Sequence, residues 1–218
     1  MKANVTRTRI KICGLTAAAD VAAAVAAGAD AVGVVLAPSP RRVTLEQAEA
    51  ALVAVPPLVS RVGVFVDPSL EEMREAVERL GLDFVQLCGK ESPGLCAGAP
   101  VGVLKVMHVG TAFDASLVEP YRGLVAAILL DTLAKDARGG TGKAFDWQSV
   151  HEFPAWAPVF VAGGLNPDNV ATAIRELRPY AVDVSSGVES APGIKDHAKI
   201  DAFVAAVRAA DMEVASDG

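Results

Sequence analysis

Cysteine, histidine and basic charge are all scarce in this chain, and each shortage excludes something. The three cysteines, Cys13, Cys88 and Cys96, form no CxxC pair and no zinc-like spacing. That argues against a disulfide framework and for a reducing, cytoplasmic compartment. Lys and Arg number 20 against 26 Asp and Glu, for a net charge of -6. With no basic stripe, basic tail or RNA-binding aromatic signature, nucleic acid is not an expected partner. An anionic ligand must instead be held locally, by arginine, lysine or backbone N–H groups. The longest apolar run, LVAAILL at 124–130, is far too short to span a bilayer. The start, MKANVTRTRIKICG, lacks the apolar stretch of a signal peptide. Neither a membrane partner nor an export signal is expected.

What is present is a 52% apolar chain of 218 residues, enough for one substantial core and short for two ordinary domains. Short β-rich runs recur: RIKIC (9–13), AVGVVLA (31–37), RVGVFV (61–66), DFVQL (83–87), VGVLKVM (101–107), LVAAILL (124–130), PVFVA (158–162) and AVDVS (181–185). Helical periodicity fills most of the intervals, as in 70–81 and 167–178. Thr44, Ser69 and Asn166, the last followed by Pro167, read as helix entries, and Gly28 and Gly81 as helix ends. ESPGLCAGAP (91–100), with three breakers, is the weakest helix. Eight strand–helix rounds fit a (β/α)8 barrel, that is, an α/β TIM barrel, as one domain over 1–218. Residues 209–218 read as a flexible C-terminal tail. A Rossmann-type sheet is the alternative, but no GxGxxG follows the first strand.

Barrel enzymes build their sites from the C-terminal ends of strands. Here those ends carry Cys13, Asp67, Cys88, His108, Asp131, Gly163-Gly164 and Ser185-Ser186. Asp67 reads as a turn or helix-cap residue. His108 is placed at the mouth, whereas His151 and His197 fall away from strand ends, so no histidine metal cluster is expected. Lys11 and Cys13 share one strand face, as do Leu129 and Asp131. Taken alone, Cys13 fits an inert buried thiol better than a reactive one, and Asp131 fits a turn cap better than a catalyst. The glycine-rich loops RGGTGKAFDW (138–147), AGGLNPDN (162–169) and SSGVES (185–190) can bring backbone N–H groups close to a phosphate. Any one of them can be a mere turn. Two in adjacent positions after strands seven and eight favour phosphate binding.

The segments KICG (11–14), SPR (39–41), GVFVD (63–67), LLDT (129–132), GGTGKAFDW (139–147), AGGLNPDNV (162–170), DVSSGVE (183–189) and GIKD (193–196) occur together and in order. The set resembles the phosphoribosylanthranilate isomerases of tryptophan biosynthesis, from Lys11 to about Arg208. The resemblance implies a cofactor-free, metal-free barrel that isomerises N-(5-phospho-β-D-ribosyl)anthranilate by an Amadori rearrangement. It implies a general base at Cys13, a general acid at Asp131 and a carboxylate-binding arginine at Arg41. It also implies phosphate contacts from Gly140, Thr141, Gly142, Gly163, Gly164, Ser186 and Gly187. The partner is then a small molecule carrying phosphate and carboxylate; the oligomeric state is left open. Another phosphosugar barrel enzyme, such as a pentose-phosphate epimerase, or a non-catalytic phosphosugar-binding barrel is the alternative. The first usually wants metal-binding histidines, and the second would leave the Cys13/Asp131/Arg41 set unexplained.

Cysteine and aspartic acid ordinarily titrate near ~8.5 and ~3.9, so a thiolate base beside a protonated carboxyl is a minority state unless the site shifts them. Lys11, two residues before Cys13, is a candidate to favour the thiolate. Asp183 is expected to pair with Lys11 across the seam between strands eight and one, with Lys105 as its alternative partner. Cys88 stands where the family usually has histidine, and the change bears on substrate orientation rather than on acid or base.

Overall fold

In the computed structural model, which describes residues 7–109, 114–131 and 156–216, eight parallel strands close into one barrel. They are β1 (Arg9–Ile12), β2 (Ala31–Val35), β3 (Ser60–Phe65), β4 (Phe84–Leu87), β5 (Gly102–His108), β6 (Ala127–Asp131), β7 (Val159–Ala162) and β8 (Ala181–Val184). β8 pairs back onto β1, with Lys11 opposite Asp183. Parallel strands covered on both faces need apolar residues on both, which is why AVGVV and AILL read as continuous runs. The open-sheet alternative is excluded by this closure.

Around the barrel run α1 (Ala18–Ala27), α2 (Leu45–Leu52), α3 (Leu70–Leu80), α4 (Pro93–Ala97), α5 (Val170–Leu177) and α6 (His197–Ser216). Thr44 and Ser69 each close a capping box, with Gln47 and Glu72 reaching back to the cap N–H. Gly28 and Gly81 take left-handed conformations at the ends of α1 and α3. The breakers in 91–100 leave α4 only five residues, entered through Ser92 with Pro93 in its first turn.

Two expectations need correction. Pro167 does not open a helix: Asn166 Oδ1 accepts from the N–H groups of Asp168 and Asn169, forming a local turn, and α5 starts at Val170. The Asn side chain competes with the helix for those donors and delays its start. Residues 209–216 are not a loose tail. They continue α6, and Asp211 accepts from the Thr8 N–H and hydroxyl, tying the helix to the entry of β1. Ile200, Phe203, Val207 and Ala210 bury one face of α6, which packs against α1 and α5. Phe203→Ala would cost about 3–5 kcal/mol by the cavity it leaves.

Inside the barrel, the period-2 alternation of the strands stacks side chains in layers. Val62, Leu104 and Ala127 form an apolar floor with Phe84 and Phe160. Above it the interior turns polar, with Lys11, Gln86 and Asp183 all buried. Cys13, Val35 and Val64 on one side, and Val106, Leu129 and Ala162 on the other, line the upper interior, with Cys88 packed against both groups.

Candidate active site

The polar seam between β1 and β8 carries the strongest electrostatics of the barrel interior. Lys11 Nζ donates to Asp183 Oδ1 at 2.9 Å, with side-chain exposures of 1% and 7%. Parallel register places the two side by side, and parity sends both inward. Lys105, the alternative partner of Asp183, is elsewhere: it meets Glu91 at 2.8 Å outside the barrel interior. Burial works against the Lys11 ammonium, but Asp183 and Cys13 outweigh it and hold the group charged.

Cys13 lies one turn of the pleat above Lys11. Its thiol and the Lys11 ammonium both press on Gly33, where a Cβ would sit 3.0 Å from Cys13 Sγ and 3.2 Å from Lys11 Nζ. Burial pushes the thiol above its usual range; Lys11 and Lys195 pull it down, and Asp183 adds to the rise. Burial thus favours the thiol, and the neighbouring ammonium, held charged by Asp183, opposes that preference. Cys88 is pushed up to about 12, chiefly by burial, and stays neutral. Gln86 Nε2 donates to its sulfur at 3.5 Å.

Gly14 explains the end of RIKICG. Its φ is +71°, and a Cβ there would lie 2.6 Å from Arg41 Cδ and 2.8 Å from Ser185 Oγ. Glycine lets the Arg41 stem cross the backbone directly after Cys13. Arg41 is further set by its N–H, which donates to Ser39 Oγ at 3.1 Å. Its guanidinium meets Glu189 by two bonds of 2.7 Å, from Nε and Nη2.

Asp131 ends β6 at the mouth, 26% exposed, in register with His108 of β5. His108 Nδ1 lies 3.5 Å from Asp131 Oδ2, and its Nε2 lies 3.2 Å from the Cys88 carbonyl oxygen. His197, 51% exposed, pairs with Asp20 at 2.8 Å. The loops after β7 and β8 touch: a Cβ on Gly187 would strike the Leu165 carbonyl at 1.9 Å. Gly163 and Gly164 both have positive φ, and Ser186–Val188 form a single 3-10 turn. The two loops thus form one continuous edge of backbone. Gly140, Thr141, Gly142 and His151 lie outside the described residues.

Two charged residues of this rim went unread in the sequence: Glu189 and Lys195. Their signal was the charge at fixed places in SSGVE and GIKD, which turn residues alone do not explain. Asp67 is a turn residue as expected, with φ +48° and its carboxylate accepting from the Lys90 N–H at 2.6 Å.

Comparison with known proteins identifies the family. The model of the family described as N-(5'phosphoribosyl)anthranilate (PRA) isomerase matches residues 10–206. An N-(5'-phosphoribosyl)anthranilate isomerase of Pseudomonas fluorescens is 48% identical over 201 residues, covering 92% of this chain and 95% of the relative. One from Magnetococcus marinus is 46% identical over 203 residues, covering 93% and 96%. The crystal structure of phosphoribosyl anthranilate isomerase from Thermotoga maritima superposes with a TM-score of 0.85 at 40% identity, covering 93% of this chain and 99% of that one. A further isomerase structure, in complex with reduced 1-(o-carboxyphenylamino)-1-deoxyribulose 5-phosphate, gives 0.80 at 38% identity, with the same coverage. By sequence over most of its length and by fold, the chain belongs to the N-(5'-phosphoribosyl)anthranilate isomerase family.

Proposed function

We infer that this protein is the aldose–ketose isomerase of tryptophan biosynthesis that converts N-(5-phospho-β-D-ribosyl)anthranilate to 1-(2-carboxyphenylamino)-1-deoxyribulose 5-phosphate. The observation that carries the reading is the Cys13 thiol beside a buried Lys11–Asp183 pair on one side of the barrel mouth, with Asp131 at another strand end.

The chemistry moves four protons and exchanges oxidation level between C1 and C2 within the substrate, so it needs no external oxidant or reductant. Asp131, protonated, gives its proton to the ribose ring oxygen as the C1–O bond breaks, and the anilino nitrogen lone pair forms the C1=N bond. Cys13, as thiolate, takes the C2 proton; those electrons form the C1=C2 bond of an enolamine as the C1=N π pair returns to nitrogen. Its C2 hydroxyl then loses a proton while C1 gains one, giving the ketone. Each transfer needs a group within hydrogen-bond reach and a suitable protonation state. Lys11 supports the thiolate, and Asp183 keeps the ammonium in place without cancelling it. Arg41 takes the anthranilate carboxylate as a charge-assisted pair. The paired loops at Gly163-Gly164 and Ser186-Gly187, with Gly140, Thr141 and Gly142, offer N–H groups to the 5-phosphate. Cys88, neutral and smaller than histidine, supplies contact rather than proton transfer.

The three cysteines are all unpaired thiols, which supports a cytoplasmic site of action. Among the described residues, no helix is long and apolar enough to cross a membrane. The decisive experiment is turnover of the fluorescent substrate by Cys13→Ala and Asp131→Asn. Each is expected to lose activity while still binding product; near-normal turnover by either would remove that residue from its role.

A further inference from the structure

Beyond β8 the chain forms a small antiparallel ribbon, β9 (Glu189–Ala191) and β10 (Ile194–Lys195), with Lys195 in register with Glu189. The ribbon hangs over the Cys13 side of the mouth and is tied down at several points. Thr16 Oγ1 donates to the Gly193 carbonyl at 2.8 Å, and Lys199 Nζ donates to the Glu189 carbonyl at 2.8 Å. Lys195 Nζ donates to the Ser185 carbonyl at 3.0 Å. Such anchoring makes the ribbon a rigid mount for the two charges it carries.

The Glu189 carboxylate, 5% exposed, stands between two cations. Oε1 accepts from Lys195 Nζ at 2.9 Å and from Arg41 Nε at 2.7 Å, while Oε2 accepts from Arg41 Nη2 at 2.7 Å. One carboxylate cannot neutralise both, so the trio keeps one net positive charge. Lys195 is fully covered, whereas Arg41 is 22% exposed, so that charge reaches the mouth only through the guanidinium. The Nε–Nη2 edge is occupied by Glu189, and among the described residues nothing accepts from Nη1. A planar fork clamped along one edge has its other donors in a single orientation.

We propose that Glu189 is a positioning residue that aims Arg41 at the substrate's aromatic carboxylate, and that Lys195 preserves Arg41's attraction for anions by neutralising Glu189. The proposal rests on the reading of Arg41 as the carboxylate-binding group. Glu189→Gln separates orientation from charge because the two have opposite signs. Simple electrostatics makes the site more positive and tightens anion binding; loss of the clamp loosens it.

The probes are two reduced product analogues: the 2-carboxyanilino deoxypentitol 5-phosphate and the same molecule lacking the carboxylate. Calorimetry should find that Glu189→Gln weakens the carboxylated analogue about tenfold to a hundredfold, as for one lost charge-assisted contact. The other analogue should bind as to the wild type. In kinetics KM should rise far more than kcat falls, and Glu189→Asp should recover part of the loss. Tighter binding of the carboxylated analogue would mean that Glu189 competes for Arg41 and would overturn the proposal. Equal weakening of both analogues would mark a merely structural role and would also overturn it. Should Glu189→Gln fold poorly, Lys195→Met provides the second variant, expected to weaken only the carboxylated analogue; equal losses on both would refute the idea. If the wild type itself fails to prefer the carboxylated analogue, it is the Arg41 assignment that fails. A wild-type preference retained in Glu189→Gln sinks the positioning role alone.

Discussion

Two buried lysine–carboxylate pairs, one inside the barrel and one outside it, show how the same chemical pair serves different ends. Outside, Lys105 Nζ donates to Glu91 Oε2 and also to the carbonyls of Leu87 and Gly89 at 3.2 and 2.9 Å. Glu91 Oε1 in turn accepts from the N–H groups of Asp67 and Gly89, each at 2.9 Å. The partners lie at the end of β4 and in the loops after β3 and β4, so the pair is spent on fixing backbone. Inside, Lys11 Nζ donates to Asp183, and its other neighbour is the Cys13 thiol, on which its field acts. A pair bonded to backbone fixes a loop; a pair beside a thiol biases that thiol's protonation.

That contrast can be broken most severely at Glu91. Glu91→Ala strands a buried ammonium and should cost about 3–5 kcal/mol, read as a lowered denaturation midpoint, with kcat at the wild-type level once the protein is folded. A large loss of kcat in the folded variant would erase the distinction between the pairs. Lys11→Met should also destabilise, by a comparable or smaller amount, but its signature is at Cys13. Burial already favours the neutral thiol, and removing the ammonium leaves Asp183 to favour it further. Thiolate absorbance, taken as the difference from Cys13→Ala, should therefore emerge at higher pH than in the wild type, and turnover at neutral pH should fall with it. An unchanged midpoint would detach Lys11 from the chemistry.

Asp183→Asn sharpens the comparison because its sign is opposite. Asp183 raises the Cys13 thiol, so its neutralisation should move the thiolate midpoint down, in the same absorbance measurement. A move upward would mean that Asp183 acts mainly by holding Lys11 in place. The smallest effect is expected at the rim. His108, 63% exposed, should change stability by less than about 0.5 kcal/mol when replaced by Ala. A larger shift in thermal unfolding would give its contacts with Asp131 and the Cys88 carbonyl structural weight.

The inside pair was legible in the sequence and the outside pair was not, for a reason of parity. Lys11 sits two residues from Cys13 on a strand, so one assumption about Cys13 facing inward also places Lys11. Closure of an eight-stranded barrel then puts Asp183 on the neighbouring strand. Lys105 has the other parity and lies outward, where its partner comes from a loop 14 residues earlier. No period links a strand to a loop. Glu189 and Lys195 were hidden similarly: nothing in Gly- and Ser-rich turns gives their charges a partner until the ribbon folds back. Asn166-Pro167 looked like a helix entry because its side chain can cap; in the fold it caps a turn three residues too early.

The sequence by itself determined the barrel, the eight strand ends and the family, because period-2 runs, turn glycines and an ordered set of motifs are local or linear features. Only the tertiary structure decided that α6 runs on to Ser216 and that Arg41 crosses Gly14. It also decided that one carboxylate on a late ribbon holds that arginine by one edge. The Glu189–Arg41 contact joins residues 148 positions apart, and the Asp211–Thr8 tie of α6 joins residues 203 apart. Long-range pairings of this kind depend on which faces the closed barrel brings together, and no local propensity encodes that.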